Sequence, residues 1–116
     1  MEAPKMRIIQ ELVPGKQITL AHVIANPDPS LLSQFESEYL TANSSIGIMT
    51  ITPPETSIII ADLSIKSADV QTVSINKSSG SLIIAGSVAN VEAAVRAVLE
   101  YVGEKLGFEV CGLTKT

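Results

Sequence analysis

Nucleophiles, bases and metal ligands are scarce in this chain, which carries one histidine, His22, and one cysteine, Cys111. His22 alternates with Ile18, Leu20 and Ile24 along a predicted strand, where a histidine serves as a hydrogen-bonded core or interface residue. A general base would need a partner and a substrate cleft. Cys111, between Val110 and Gly112, reads as a small buried hydrophobe, and a Cys111–His22 dyad has no third orienting group in the sequence. No His/Cys cluster has metal-ligand spacing, so neither a metal nor a cofactor is expected. Glu36, Glu38, Asp62 and Asp69 read as solvated helix faces more readily than as paired carboxylates. Gly80 and Gly86 have the wrong spacing for a dinucleotide fingerprint and no Gly-Lys-Ser/Thr follows, so they read as turn glycines. By composition Lys66 is a helix-end lysine favoured by the macrodipole.

With catalysis in the background, composition takes over. Charged residues make up 17% of the 116-residue chain and hydrophobic ones 46%, with only 3% aromatic; ordinary globular chains carry about 25% charge. A single domain of this length exposes a large share of its surface. So little charge cannot coat it, and surplus apolar surface marks interaction sites. The chain is therefore expected to be an assembly subunit. A net charge of −4 and a pI near 4.8 have the wrong sign for nucleic acid. No stretch approaches the roughly 20 apolar residues of a membrane span, and Met1-Glu2-Ala3-Pro4-Lys5 lacks a basic start followed by an apolar run. With one cysteine and no intrachain disulfide, a cytosolic location is expected.

The elements that would position any site follow from periodicity. Met6 to Val13 alternates as a short strand, with Met6, Ile8, Gln10 and Leu12 on one side, and Pro14-Gly15 ends it. Ile18 to Ile24 alternates again. Asp28 and Pro29 form an N-cap and first helical position, followed by an amphipathic helix through Leu31, Leu32, Phe35 and Tyr39 to about Leu40. After a strand at Ile46 to Ile51, Thr52-Pro53-Pro54-Glu55 has the form of a capping box. It would open a helix to about Ala68, against the local strand preference of Ile58-Ile59-Ile60. Val70 to Ile75 and Ser81 to Ala85 make a hairpin around Asn76-Lys77-Ser78-Ser79-Gly80. Val91, Ala94, Val95, Val98, Leu99, Val102 and Leu106 line one face of a helix, capped by Ser87 and ended by Gly107. A last strand spans Phe108 to Leu113.

From Ile46 onward the order is strand, helix, strand, strand, helix, strand. This predicts an α+β, ferredoxin-like βαββαβ core whose antiparallel sheet carries both helices on one face. The other face is bare, and the Ile18 to Leu40 unit is the local candidate to cover it, with neighbouring subunits as the rest. The Met6 to Val13 strand has no partner in this scheme. An isolated strand is unstable and its edge invites association, so copies are expected to close it into a small intersubunit β-barrel.

The run from Arg7 to Ala25 closely resembles the start of circularly permuted bacterial microcompartment (BMC) shell proteins, the type of ethanolamine-, propanediol- and choline-utilisation compartments. The likeness continues through residues 46–53 (Ile46-Gly47-Ile48-Met49-Thr50-Ile51-Thr52-Pro53), 65–70 (Ile65-Lys66-Ser67-Ala68-Asp69-Val70) and 86–94 (Gly86 to Ala94). It covers nearly the whole chain. The resemblance implies one permuted BMC domain over residues 1–116, with a barrel strand and turn in 1–15 and the BMC core in 16–116. It implies a homohexameric tile in a cytoplasmic microcompartment shell, meeting other shell proteins and the enclosed enzymes. Met6, Arg7, Ile8, Ile9, Gln10, Glu11, Leu12 and Val13 would form the barrel over the axial pore.

By the same resemblance, Lys66 matches the lysine of contacts between neighbouring hexamers, where its stem can cover apolar surface. Asn76, Lys77, Ser78, Ser79 and Gly80 match the loop that approaches the pore. Relatives of the ethanolamine and propanediol type tend to carry an Asp-Arg-aromatic stretch where this chain has Asn76, Lys77 and Ser78, so pore charge and shape do not transfer. Ser44 stands where relatives differ between Gly and Val and where hexamer flatness is influenced. The expected function is thus a non-enzymatic, self-tiling shell component whose barrel restricts the pore. The competing readings are a small ligand-sensing oligomeric module and, more remotely, an enzyme using Cys111 and His22.

Overall fold

The computed structural model describes residues 15–38 and 40–116. The expected barrel strand, Met6 to Val13, and Tyr39 lie outside them. In chain order the elements are β1 (Gln17–Ile24), α1 (Pro29–Leu32), β2 (Ser45–Thr52), a 3₁₀ turn (Pro54–Thr56), α2 (Ser57–Ser67), β3 (Gln71–Asn76), β4 (Ser81–Gly86), α3 (Val88–Lys105), β5 (Glu109–Val110) and β6 (Thr114–Lys115). They form one mixed sheet in the order β3-β4-β2-β1-β5, with β6 pairing further along β1. Helices α2 and α3 share one face, where Val91, Val95, Val98 and Val102 bury themselves on Val23, Met49, Ile51, Leu82 and Ile84.

The sheet order departs from the expected split arrangement. There the last strand would lie beside the Ile46 strand. Instead β1 takes that place, antiparallel to β2, and β5 and β6 dock outside it in parallel. The long antiparallel ladder of the eight-residue β1 outcompetes two-residue parallel strands for the edge of β2. So β1 extends the sheet rather than covering its bare face. Of the predicted strand from Phe108 to Leu113 only Glu109 and Val110 are regular strand (β5); Cys111, Gly112 and Leu113 lead on to β6, which lies beyond the predicted bounds.

A bulge between Ile18 and Leu20 resets the alternation of β1. Ile18, Ala21 and Val23 all turn into the core, while Leu20, His22 and Ile24 share the opposite face. Plain alternation places Ile18 with His22; one extra residue reverses that phase.

Two helices also differ from expectation, one in its end and one in its start. Asp28 does cap α1, its Oδ1 accepting from the Ser30 N–H at 2.9 Å, but α1 stops at Leu32 rather than running to Leu40. The amides of Gln34 and Phe35 turn back to the carbonyls of Leu31 and Leu32, three residues earlier, and the Ser33 hydroxyl donates to the Ser30 carbonyl. Serine competes for helix backbone in this way. The Thr52–Glu55 capping box does not form: Thr52 stays in β2, and Pro53 and Pro54 have no N–H to offer. The Thr56 hydroxyl instead donates to the Pro53 carbonyl at 2.6 Å, and α2 starts at Ser57.

Helix α2 prevails over the local strand preference, with an inverted dress. Ser57, Ile60, Ala61 and Ser64 face inward, whereas Ile58, Ile59 and Ile65 are each about half exposed. Small inward side chains let the helix lie close to the core, and Ser64 returns its hydroxyl to the Ile60 carbonyl at 2.8 Å. Close packing recurs under α3 at Gly47, where a Cβ would stand 2.9 Å from Val91 Cγ1 and 3.0 Å from Ile84 Cγ1. Gly47→Ala is therefore expected to cost about 1–3 kcal/mol through overpacking, read as a lower urea midpoint at unchanged m-value. An unchanged midpoint would mean that α3 sits farther from β2.

Candidate functional site

The catalytic candidates are dispersed by the fold. His22 pairs in register with Thr114, and its ring nitrogens meet two hydroxyls, Nδ1 with Thr114 Oγ1 at 2.6 Å and Nε2 with Thr116 Oγ1 at 2.9 Å. Cys111 sits beyond the Ile18↔Val110 pair, its amide donating to the Ile18 carbonyl. Its half-buried side chain packs on the core. The two residues thus serve different stretches of β1 and form no dyad. Glu36, Glu38, Asp62 and Asp69 are exposed, and among the described residues no group of three His, Cys, Asp or Glu side chains could hold a metal.

What the structure builds with care are surfaces. At the end of α2, Lys66 Nζ lies 2.8 Å from Asp62 Oδ2 with both side chains largely exposed. The hydrogen bond that Lys66 donates to Asp62, then the Asp62 charge, raises the Lys66 pKa above the ordinary lysine value. The ion pair stands among the exposed Ile58, Ile59 and Ile65, so α2 presents a charged couple framed by isoleucines. Sequence reading singled out Lys66 and missed the isoleucine frame. Its signal was present in the serines at 57 and 64, which claim the inward positions.

The β3–β4 hairpin holds residues 76–80 in a defined loop. Asn76 Oδ1 accepts from the amides of Ser78 and Ser79, each at 3.0 Å, and the Gly80 amide returns to the Asn76 carbonyl at 2.8 Å. Gly80 takes a φ of +81°, which favours glycine. Lys77 is exposed at the tip. Ser44 is nearly buried and closes the turn that leads into β2: its Oγ accepts from the Thr41 amide at 2.9 Å, and its own amide donates to the Thr41 carbonyl.

A second ion pair, between Lys115 on β6 and Glu92 on α3, ties the chain end to the helix. The Lys115 hydrogen bond holds the Glu92 carboxyl below the usual glutamate range. A carboxyl depressed in the folded state stabilises it above the unfolded pKa and loses that contribution as pH falls through the folded pKa. Glu92→Gln should therefore lower the urea midpoint at neutral pH and bring it level with the parent in acid, below both pKa values. A constant gap down the acid limb would show that the ion pair contributes nothing.

The comparisons bear on what such surfaces are for. A family model described as the BMC domain matches residues 45–112, beginning at the first residue of β2 and leaving β1 and α1 ahead of it. The chain is 45% identical over 112 residues to the bacterial microcompartment shell protein EutS of Escherichia coli (strain K12), covering 97% of this chain and 98% of that one. The chain belongs to the bacterial microcompartment shell proteins. With the shell protein PduU of Salmonella typhimurium (strain LT2) it shares 44% identity over 110 residues, 95% of this chain and 93% of the relative. The solved structure described as the CutR flat hexamer, form 2, superposes with a TM-score of 0.82 at 40% identity, over 95% of this chain and 92% of that one. Because the family-model match starts at β2 while whole-length relatives align throughout, this shell protein has the permuted order expected from its opening run. Its role is structural, which decides against both the enzyme and the sensor readings.

Proposed function

We propose that this shell protein is a homohexameric tile whose copies pack edge to edge into the wall around encapsulated enzymes. The CutR relative, alike in fold over nearly its whole length, is a flat hexamer, and that likeness carries the reading. The apolar frame on α2 supports it too, because three half-exposed isoleucines around an ion pair suit a protein–protein contact better than solvent. Within the tile, Lys66 is the edge contact between hexamers, residues 76–80 border the axial pore, and Ser44 influences flat or bent shape through the turn it closes. The whole chain is one permuted BMC domain, with residues 16–116 as its core and residues 1–15 contributing the barrel strand and turn. The apolar alternation of Met6, Ile8 and Leu12 suits the interior of a narrow barrel over the pore. The tile then meets other shell proteins at its edges and the enclosed enzymes at one face.

Solution mass followed by electron microscopy of concentrated protein tests this reading, with hexamers and extended sheets or tubes expected. A monomer at high concentration would end it. Shells assembled without residues 1–13 should pass small molecules faster than shells of the intact chain, and equal permeation would remove the barrel as a seal.

A further inference from the structure

Charge is distributed unevenly around the hairpin that carries residues 76–80. From residue 70 to residue 91 the only charged side chain is Lys77, and the fold leaves it exposed at the tip of the turn. The turn itself is held in place. Asn76 Oδ1 accepts from the amides of Ser78 and Ser79, Ser79 Oγ meets Ser81 Oγ at 3.0 Å, and Gly80 is seated against the Ile51 carbonyl and Pro54. Among the described residues the ion pairs are Lys66–Asp62 and Lys115–Glu92, and Lys77 takes part in neither. Asp69 lies ahead of β3, at the opposite end of that strand from Lys77. Glu92 is engaged by Lys115, and Glu55, which follows Pro54, is exposed.

We propose that the Lys77 side chains of one hexamer form a cup for a single compact, multivalent phosphate anion, and that the bound anion strengthens the assembly. The inference rests on the tile reading, in which residues 76–80 border the axial pore. A rotation axis that gathers the loops also gathers their ammonium groups. Their mutual repulsion opposes assembly, and an anion on the axis turns it into attraction. Because the Ser78 and Ser79 amides are already taken by Asn76, recognition falls to lysine, a compact point charge on a flexible stem, and to the exposed Ser78 hydroxyl. Such a ring selects for charge and for the placement of acceptor oxygens. Phosphate and pyrophosphate carry more than one negative charge and present oxygens on every side, whereas a carboxylate offers one charge and two oxygens on one side. With the proposed barrel over one mouth, the ring is a binding cup entered from the other face and not a conduit. An anion that binds the hexamer and not the free chain draws the equilibrium toward the hexamer by mass action.

Solution mass of the full-length protein in phosphate buffer decides the tile reading: a chain that is monomeric there at high concentration removes tile and cup together. Given the hexamer, pyrophosphate titrated calorimetrically at low salt into concentrated, phosphate-free protein should bind as one anion per hexamer. Lys77→Gln should weaken that binding roughly tenfold or more through lost charge-assisted hydrogen bonds. Lys77→Arg should retain it, and Lys105→Gln, at the end of α3, should leave it unchanged. Without the anion, Lys77→Gln hexamers should hold together at lower protein concentration than the parent, and saturating pyrophosphate should remove that difference. Inorganic phosphate and methyl phosphate, compared in the same titration, separate the two sources of the anion. Equal binding assigns the cup to phosphate esters as well, and much weaker binding of methyl phosphate assigns it to free phosphate. Several anions per hexamer, or equal affinity in Lys77→Gln and the parent, would overturn the proposal while leaving the hexamer standing.

Discussion

Gly80→Ala is expected to cost about 2–5 kcal/mol and to lower the melting temperature by roughly 10–20 °C, the largest stability effect foreseen for a single methyl in this chain. Two costs add. A side chain at φ +81° gives up about 1–2 kcal/mol in the left-handed region. The new Cβ would also stand 2.0 Å from the Ile51 carbonyl oxygen and 3.2 Å from Pro54 Cα. Both are backbone atoms that yield only if the hairpin lifts off the end of β2. Lifting it breaks the bond from the Ile51 amide to the Gly80 carbonyl, 2.8 Å long. Gly107→Ala separates the terms, because Gly107 has a similar φ of +73° but open space around it; about 1–2 kcal/mol is expected there. Thermal and urea melts of the two variants decide the matter. Equal losses would mean that the tip carrying residues 76–80 is not seated against β2, and the proposed pore loop would lose its fixed position.

Lys66→Asp should abolish extended arrays while leaving the hexamer. In one subunit the change is modest: it breaks an exposed ion pair with Asp62, places two like charges at i and i+4, and puts a negative charge at a helix C-terminus. At so exposed a position each of these effects is small and screened by solvent. In the proposed sheet of tiles, with Lys66 at the edge, the same loss would recur at every edge. Arrays therefore vanish over a range where the fold tolerates the change. Electron microscopy reads the first and solution mass the second. Lys66→Ala, which removes the pair without reversing charge, should weaken arrays less. Arrays that persist in Lys66→Asp would take Lys66 off the edge and leave the isoleucine face of α2 as the contact to probe next.

Particular elements show how far the sequence could be read. Helix α3 was legible end to end, because its apolar spacing, the Ser87 cap and the Gly107 stop agree with one another. The β3–β4 hairpin was legible for the same reason. Helix α1 was overextended, since Leu32, Phe35 and Tyr39 keep helical spacing while Ser33 bonds back to the Ser30 carbonyl and the helix ends at Leu32. The isoleucine face of α2 went unread because the buried side carries Ser57 and Ser64 while Ile58, Ile59 and Ile65 face outward, the reverse of the usual amphipathic pattern. His22 was recognised as a hydrogen-bonded residue, but its partners, Thr114 and Thr116, lie more than ninety positions away. Nothing in local spacing names them. Lys115 and Glu92 were silent for the same reason.

By itself the sequence determined the family, the two sheet-covering helices and the need for partner molecules, since composition, caps and periodicity act over a few residues or over the whole chain at once. Tertiary structure alone decided that β1 stands beside β2, that a bulge sends Ile18 inward and His22 outward, and that the chain end clasps β1. Those outcomes depend on which of several competing strands wins an edge. That competition is settled by long-range hydrogen-bond ladders and shared burial, which no local pattern of residues encodes.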